Sequence, residues 1–221
     1  MTLSVVIPTL NAAATLAATL ASVITADEVI VSDGGSGDGT RDVATLSGAK
    51  VLKSLPGRGL QLAAGFEQAS GEWILFLHAD TRLEEDWRRV VDGFVADPRN
   101  ERRAAVFRFS LDDGSAEARR LERMVAWRVR VLALPYGDQG LLINRAFYQS
   151  LGGFRALPLM EDVDLVRRIG RRRLVTLPIS ACTSASRWRA DGWTARSLRN
   201  LTCLSLYYLG VSPRLLFRLY R

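Results

Sequence analysis

Three acid-bearing segments sit where a chain can do chemistry. Phe76-Leu77-His78-Ala79-Asp80-Thr81 ends the apolar run that starts at Trp73 in an acid and a hydroxyl. Ser32-Asp33-Gly34-Gly35-Ser36-Gly37-Asp38-Gly39-Thr40 follows an earlier apolar run, and Met160-Glu161-Asp162-Val163-Asp164 follows a Gly-rich turn. A buried strand that delivers a carboxylate at its carboxyl end is how an open α/β sheet builds a ligand site. One acid proves little, but three such ends point to one site holding a cation and a phosphorylated ligand.

Each segment also fits a plainer role. Glu161 and Asp162 suit the first turn of a helix, where unpaired amides and the dipole favour acids. Asp33 to Thr40 has the composition of a turn. His78, the only histidine, fits a ligand or ribose contact, or a neutral hydrogen-bonded strand end. Pro56-Gly57-Arg58-Gly59 either offers amides and a guanidinium to a phosphate or forms a surface turn.

The elements that must position these residues alternate. Periodicity predicts strands at Leu3 to Ile7, Glu28 to Val31, Val51-Leu52 and Trp73 to Leu77. Helices are expected between them at Asn11 to Ile24 and Arg58 to Ser70, with another at Glu84 to Val95. This order gives an α/β fold, a mostly parallel sheet flanked by helices. The second half is less regular, with strands expected at Ala104 to Leu111 and Gly140 to Ile143. Helices there are expected at Ala116 to Leu134, Ala146 to Leu151 and Val163 to Ile169.

A length of 221 residues with 48% hydrophobic content suits one domain with a substantial core. Cys182 and Cys203 lack metal-ligand or redox spacing and read as reduced core thiols. A net charge of +7 and a pI near 10.1 raise nucleic acid or an anionic membrane as partners. Lysine occurs only at 50 and 53, however, and the arginines are scattered. The turn after the first strand, Pro8-Thr9-Leu10-Asn11, has no glycine, which disfavours a dinucleotide site, and no Walker lysine motif is present. Without a basic leader and apolar h-region at Met1, the expected location is cytoplasmic. The apolar segment 201–209 is short of the ~20 residues that span a bilayer. Arg119 to Leu134 and the C-terminal segment mix arginines with Leu, Trp and Tyr, a pattern of core-facing helices or of helices lying on a membrane.

Taken in order, Val5-Val6-Ile7-Pro8-Thr9-Leu10-Asn11, the Asp33 to Thr40 loop, Leu75-Phe76-Leu77-His78-Ala79-Asp80, Gly152-Gly153-Phe154 and Glu161-Asp162 resemble the signature of family 2 glycosyltransferases with the type-A fold. Pro135-Tyr136-Gly137-Asp138-Gln139-Gly140 and Leu159-Met160-Glu161-Asp162 are similar to the small bacterial selenodomain-associated members. The resemblance implies a single glycosyltransferase domain over 1–221. Its nucleotide-binding part would be about 1–98 and its acceptor part about 99–190, with a C-terminal helical segment at about 191–221.

The resemblance also implies roles. Pro8, Thr9, Asn11 and Asp33 would form the nucleotide cleft, with Gly34 standing where relatives carry a second acid. His78-Ala79-Asp80 resembles the family's Asp-x-Asp motif with its first acid changed, leaving Asp80 to hold Mn²⁺ or Mg²⁺. Such hard cations need only one or two protein carboxylates when phosphates and water complete the shell. Asp162 would be the base that takes the acceptor proton, Glu161 its helper, and Asp138 the reserve. Arg58 is expected at the phosphates. Ser184-Ala185-Ser186-Arg187-Trp188 resembles a reduced Gln-x-x-Arg-Trp motif, with Arg187 on the diphosphate and Trp188 against the acceptor. Asp138, Gln139 and His78 would contact donor sugar or acceptor.

The implied activity is inverting transfer from a UDP- or GDP-sugar to an acceptor hydroxyl. A lipid-linked acceptor and contact with the inner membrane face go with the basic helices. Two rivals are a nucleotidyltransferase of similar fold and a non-catalytic RNA- or membrane-binding relative. The first lacks its Gly-rich basic loop after the first strand. Acids at strand ends would repel the phosphates of a nucleic acid, so no nucleic-acid partner is expected.

Overall fold

The β-branched run that opens the chain forms the central strand β1 (Leu3–Thr9), buried along its whole length. In the computed structural model, which describes residues 1–220, there follow α1 (Ala13–Ser22), β2 (Glu28–Asp33), α2 (Thr40–Leu46), β3 (Lys50–Lys53), α3 (Arg58–Gln68), β4 (Trp73–Phe76), β5 (Thr81–Leu83) and α4 (Trp87–Val95). The second half holds β6 (Ala104–Leu111), α5 (Ala116–Leu132), β7 (Leu141–Asn144), α6 (Arg145–Ser150), α7 (Glu161–Ile169), β8 (Leu174–Thr183), α8 (Ser186–Asp191), α9 (Trp193–Tyr208) and α10 (Pro213–Tyr220). The strands form one sheet in the order β3-β2-β1-β4-β7-β6-β8-β5.

Side chains alternate across that sheet, as strand geometry requires. Val5 and Ile7 of β1 and Leu75 of β4 pack with Leu16 and Leu20 of α1 and Trp87, Val91 and Phe94 of α4. Val6, Ile74 and Phe76 point the other way, onto Leu62 and Phe66 of α3, Phe147 of α6 and Leu165 of α7. Each such side chain contributes about 1.5–3 kcal/mol by leaving water. The result is an α/β fold with helices on both faces.

The expected mostly parallel sheet holds for β3-β2-β1-β4. Beyond β4 the sheet is mixed: β7 runs antiparallel to β4 and β6, β8 is parallel to β6, and β5 is antiparallel to β8. The sequence reading did not anticipate α2, β5 or the long strand β8. Pro178 interrupts β8, and proline cannot donate to a ladder. The structure absorbs it at an irregularity, where the register moves from Val106↔Thr176 to Arg108↔Ser180. The expected helix to Leu134 ends two residues earlier, at a left-handed Ala133 whose N–H donates to the Val129 carbonyl at 2.9 Å.

Helices α9 and α10 close a satellite core in which Cys203, Leu204 and Leu216 meet Leu159, Met160 and Val163 at the start of α7. Cys182 and Cys203 are both free thiols. Among the described residues no helix is long and apolar enough to cross a membrane.

Candidate active site

The carboxyl ends of β1, β2 and β4 lie at one edge of the sheet, and hydrogen bonds join the loops after β1 and β2. Asn11, left-handed at φ 52°, donates its N–H to Ser36 Oγ at 2.9 Å and accepts the Gly37 N–H on Oδ1 at 2.9 Å. The Ala12 and Ala13 amides donate to Thr40 Oγ1 (2.8 Å) and Asp38 Oδ2 (3.2 Å). The segment from Asp33 to Thr40 is therefore a fixed loop ending at the start of α2.

Asp33 is fully buried at the centre of this network. Its Oδ2 accepts the amides of Gly35 (3.1 Å) and Ser36 (2.9 Å), and Oδ1 accepts the hydroxyls of Thr9 (3.1 Å) and Ser36. Burial alone would push the carboxyl up, but the hydrogen bonds from Ser36, Gly35 and Thr9 outweigh it and hold it below the usual range. Asp33 organises the loop and does not line the cleft. Gln61, which sequence reasoning missed, explains Gly34. Its amide donates to the carbonyls of Thr9 (2.6 Å) and Ser32 (3.0 Å), and a Cβ on residue 34 would lie 3.0 Å from that amide nitrogen.

Across the cleft, the turn before β7 meets the start of α7. Asp162 Oδ2 accepts the Gly137 N–H at 2.8 Å, and Oδ1 accepts the Val163 N–H at 2.7 Å. Gly137 lets the imidazole of His78 lie against the backbone, since a Cβ there would sit 2.5 Å from Nε2. Burial and the nearby Arg58 and Arg187 hold His78 well below its usual pKa, so it is neutral. Glu161 is buried and pairs with Arg58, whose Nε donates to Oε1. Glu161 keeps Arg58 charged, while burial pushes Glu161 itself up. Asp138 is pushed up to about 6, first by burial and then by the charges of Asp162 and Asp80, with Arg128 opposing.

A cleft of about 930 Å³ runs past Pro8, Thr9 and Asn11 toward α10. A smaller chamber of about 130 Å³ lies beyond it, lined by Asp138, Asp162, Ser184 and Trp188. Arg58, His78, Asp80, Leu159, Arg187 and Tyr220 line both, so these six mark the junction. Trp188 stacks on Trp193 at 6.0 Å between centroids. Gln139 is not brought to either space: it is buried, and its Nε2 donates to the Phe107 carbonyl at 2.9 Å. That bond ties its turn to β6. Thr183 likewise fixes the Asp138 backbone, donating to its carbonyl at 3.1 Å. A strand at β8 was the missing signal for this contact.

Two observations bear on a cation. Asp80 has no ion pair among the described residues, and Asp138 Oδ1 in the same chamber is buried without a hydrogen-bond partner. Hard oxygen donors of this kind fit Mg²⁺ or Mn²⁺. No three Asp, Glu, His or Cys side chains among the described residues form a cage by themselves. A cation here would therefore draw the rest of its shell from ligand oxygens and water.

With this geometry in view, the family model described as glycosyl transferase family 2 matches residues 4–108, from β1 into β6. That match covers just under half of the 221 residues, and over it the chain is similar to the family. It is 38% identical over 106 residues to PGL/p-HBAD biosynthesis glycosyltransferases of Mycobacterium tuberculosis and Mycobacterium bovis, across 42% of this chain. The match spans only 41% of the length of those relatives. Among solved structures, S. aureus TarS 1-349 in complex with UDP-GlcNAc is similar at a TM-score of 0.65 and 18% identity, over 83% of this chain and 58% of that one. M. tuberculosis glucosyl-3-phosphoglycerate synthase with Mn²⁺ and UDP-glucose reaches 0.59 at 21% identity, over 83% and 69%. At these identities the likeness establishes the fold.

Proposed function

We propose that the chain transfers a sugar from a nucleotide-diphosphate donor to an acceptor hydroxyl with inversion at the anomeric carbon. The observation that carries this reading is the junction itself. A free acid (Asp80), a neutral imidazole (His78) and a guanidinium without a carboxylate partner among the described residues (Arg187) stand between a large cleft and a chamber floored by Asp162. The nucleoside would occupy the cleft beside Pro8, Thr9 and Asn11, which makes roughly residues 1–98 the donor side. UDP is the leading nucleotide, since UDP or a UDP-sugar is named with similar structures; Mn²⁺ is named with the synthase.

In the chamber, the acceptor oxygen attacks the anomeric carbon while the bond from that carbon to the diphosphate oxygen breaks. Asp162 takes the hydroxyl proton. Its two amide bonds fix the carboxylate and leave further lone pairs for that proton. Arg187 faces the charge that collects on the leaving diphosphate. Asp80 would hold Mn²⁺ or Mg²⁺, helped by Asp138, and the bound cation would neutralise the same charge. Glu161 acts through Arg58, which it orients at the junction.

The test is Asp162→Asn, which keeps the shape and cannot accept the proton. UDP binding by calorimetry should persist while sugar transfer falls by ~10²–10⁴. A variant that keeps most of the parental turnover would remove Asp162 as base.

A further inference from the structure

Residues 192–221 contain five arginines and no Asp or Glu. They also expose large apolar side chains. On α9, Leu198, Leu201 and Tyr208 follow helical spacing along one outward stripe, continued by Leu209, which is 79% exposed. On α10, Leu216 is buried while Leu215 and Leu219 are exposed beside Arg214 and Arg218. Single exposed leucines are ordinary, but an apolar stripe on an acid-free segment marks an interaction surface. Arg196 and Arg199 both pair with Asp191. Arg214 and Arg218 have no carboxylate partner among the described residues.

We propose that α9 and α10 form a docking surface for an anionic lipid bilayer. The leucines would enter the interfacial region while Arg214 and Arg218 meet phosphate head groups, as surface-lying amphipathic helices do. Charge selects this occupant. A second copy docked face to face would oppose the same arginines to one another, because a two-fold interface repeats its own patch. Helix α5 supports the same reading. It meets the start of α9 through Val129, Trp188 and Trp193, and it exposes Trp127 and Met124. An amphipathic aromatic ring among arginines suits a membrane interface. Arg214, Phe217 and Tyr220 of α10 also line the cleft, so docking would bring the cleft mouth to the lipid. This deepens the transferase reading by presenting the site to a lipid-borne acceptor, while the docking itself rests on the surface alone.

The test is sedimentation with phosphatidylcholine vesicles, with and without about 30% phosphatidylglycerol. The parent should bind the anionic vesicles at least roughly tenfold better than the neutral ones, and high salt should weaken that binding. Leu198→Glu/Leu201→Glu should lose roughly tenfold or more in vesicle binding, with melting temperature and UDP affinity unchanged. Arg218→Ala should lose part of the preference for anionic lipid. Absence of vesicle binding, equal binding to both vesicle types, or an unaffected double variant would each overturn the proposal. So would light scattering that finds a dimer which the double variant dissolves. UDP calorimetry on the same samples separates the two readings: lost nucleotide binding speaks against the transferase, lost vesicle binding against docking.

Discussion

Gly137→Ala puts the geometry of the junction to a direct test. The added Cβ would lie 2.5 Å from His78 Nε2, 3.0 Å from His78 Cε1 and 3.4 Å from Asp162 Oδ2. Ordinary contacts need about 3.5–4 Å, so the imidazole or the turn must move by about 1 Å. Overpacking of this kind costs about 1–3 kcal/mol. For a domain of this size, that lowers the melting temperature by roughly 3–10 °C. A shift of about 1 Å at the reacting centre would also cut turnover by ~10². Gly93→Ala is the control: it lies inside α4 with nothing near its Cβ, and should gain about 0.5–1 kcal/mol. Adding His78→Ala to Gly137→Ala removes the ring that clashes, so the pair should be more stable than the sum of the singles by about 1–2 kcal/mol. Thermal melts and a nucleotide-release assay read the parent and the four variants, His78→Ala alone among them. The reasoning fails if Gly137→Ala melts and turns over like the parent, or if removing the ring brings no recovery.

Glu161→Ala strands the Arg58 guanidinium beside a neutral hole. Breaking a buried pair costs about 3–5 kcal/mol, and because Arg58 keeps 37% side-chain exposure the expected loss in urea unfolding is nearer 1–3. An unchanged unfolding midpoint would refute a structural role for the pair. Asp138→Asn should reveal linkage. The folded-state pKa of Asp138 is raised from 3.8 to about 6, so the native state binds the proton more tightly than the unfolded chain. Its contribution is fully favourable below about pH 4 and lost as pH rises through about 6, which penalises the parent by roughly 3 kcal/mol at pH 8. In chelator, the melting temperature of Asp138→Asn relative to the parent should therefore climb by several degrees between about pH 4 and pH 8. A flat difference across that range would exclude the buried carboxyl as its source.

Much of the architecture was legible because it is written in apolar runs. The strands at Leu3, Glu28, Trp73 and Ala104 and the helices α1, α3 and α4 between them follow from periodicity, since one face of each must leave water. β8 was not legible, because Pro178 and interspersed hydroxyls break its pattern and only pairing with β6 and β5 makes it a strand. Residue order indicated that Pro8, Thr9, Asn11, Arg58, His78, Asp80, Asp162 and Arg187 belong together, and they line two connected spaces. It could not indicate which way a side chain turns. Asp33 faces inward to its own loop, Gln139 faces β6, and Arg58 is committed to Glu161, over a hundred residues away. Gln61 carries no motif at all, and its role appears only when α3 packs against the ends of β1 and β2.

The loop from Asp33 to Thr40 has a kinetic consequence. Its hydrogen bonds brace Asn11 and Ala12, which line the cleft, from within the protein itself, so the conformational freedom of that wall is surrendered in folding and not at the moment of encounter. A ligand arriving there has no segment to wait for. Its entry is then governed by diffusion and by the attraction of a chain of net charge +7 for a polyanion. Differences in affinity among ligands at this wall should accordingly reside in how slowly each one leaves.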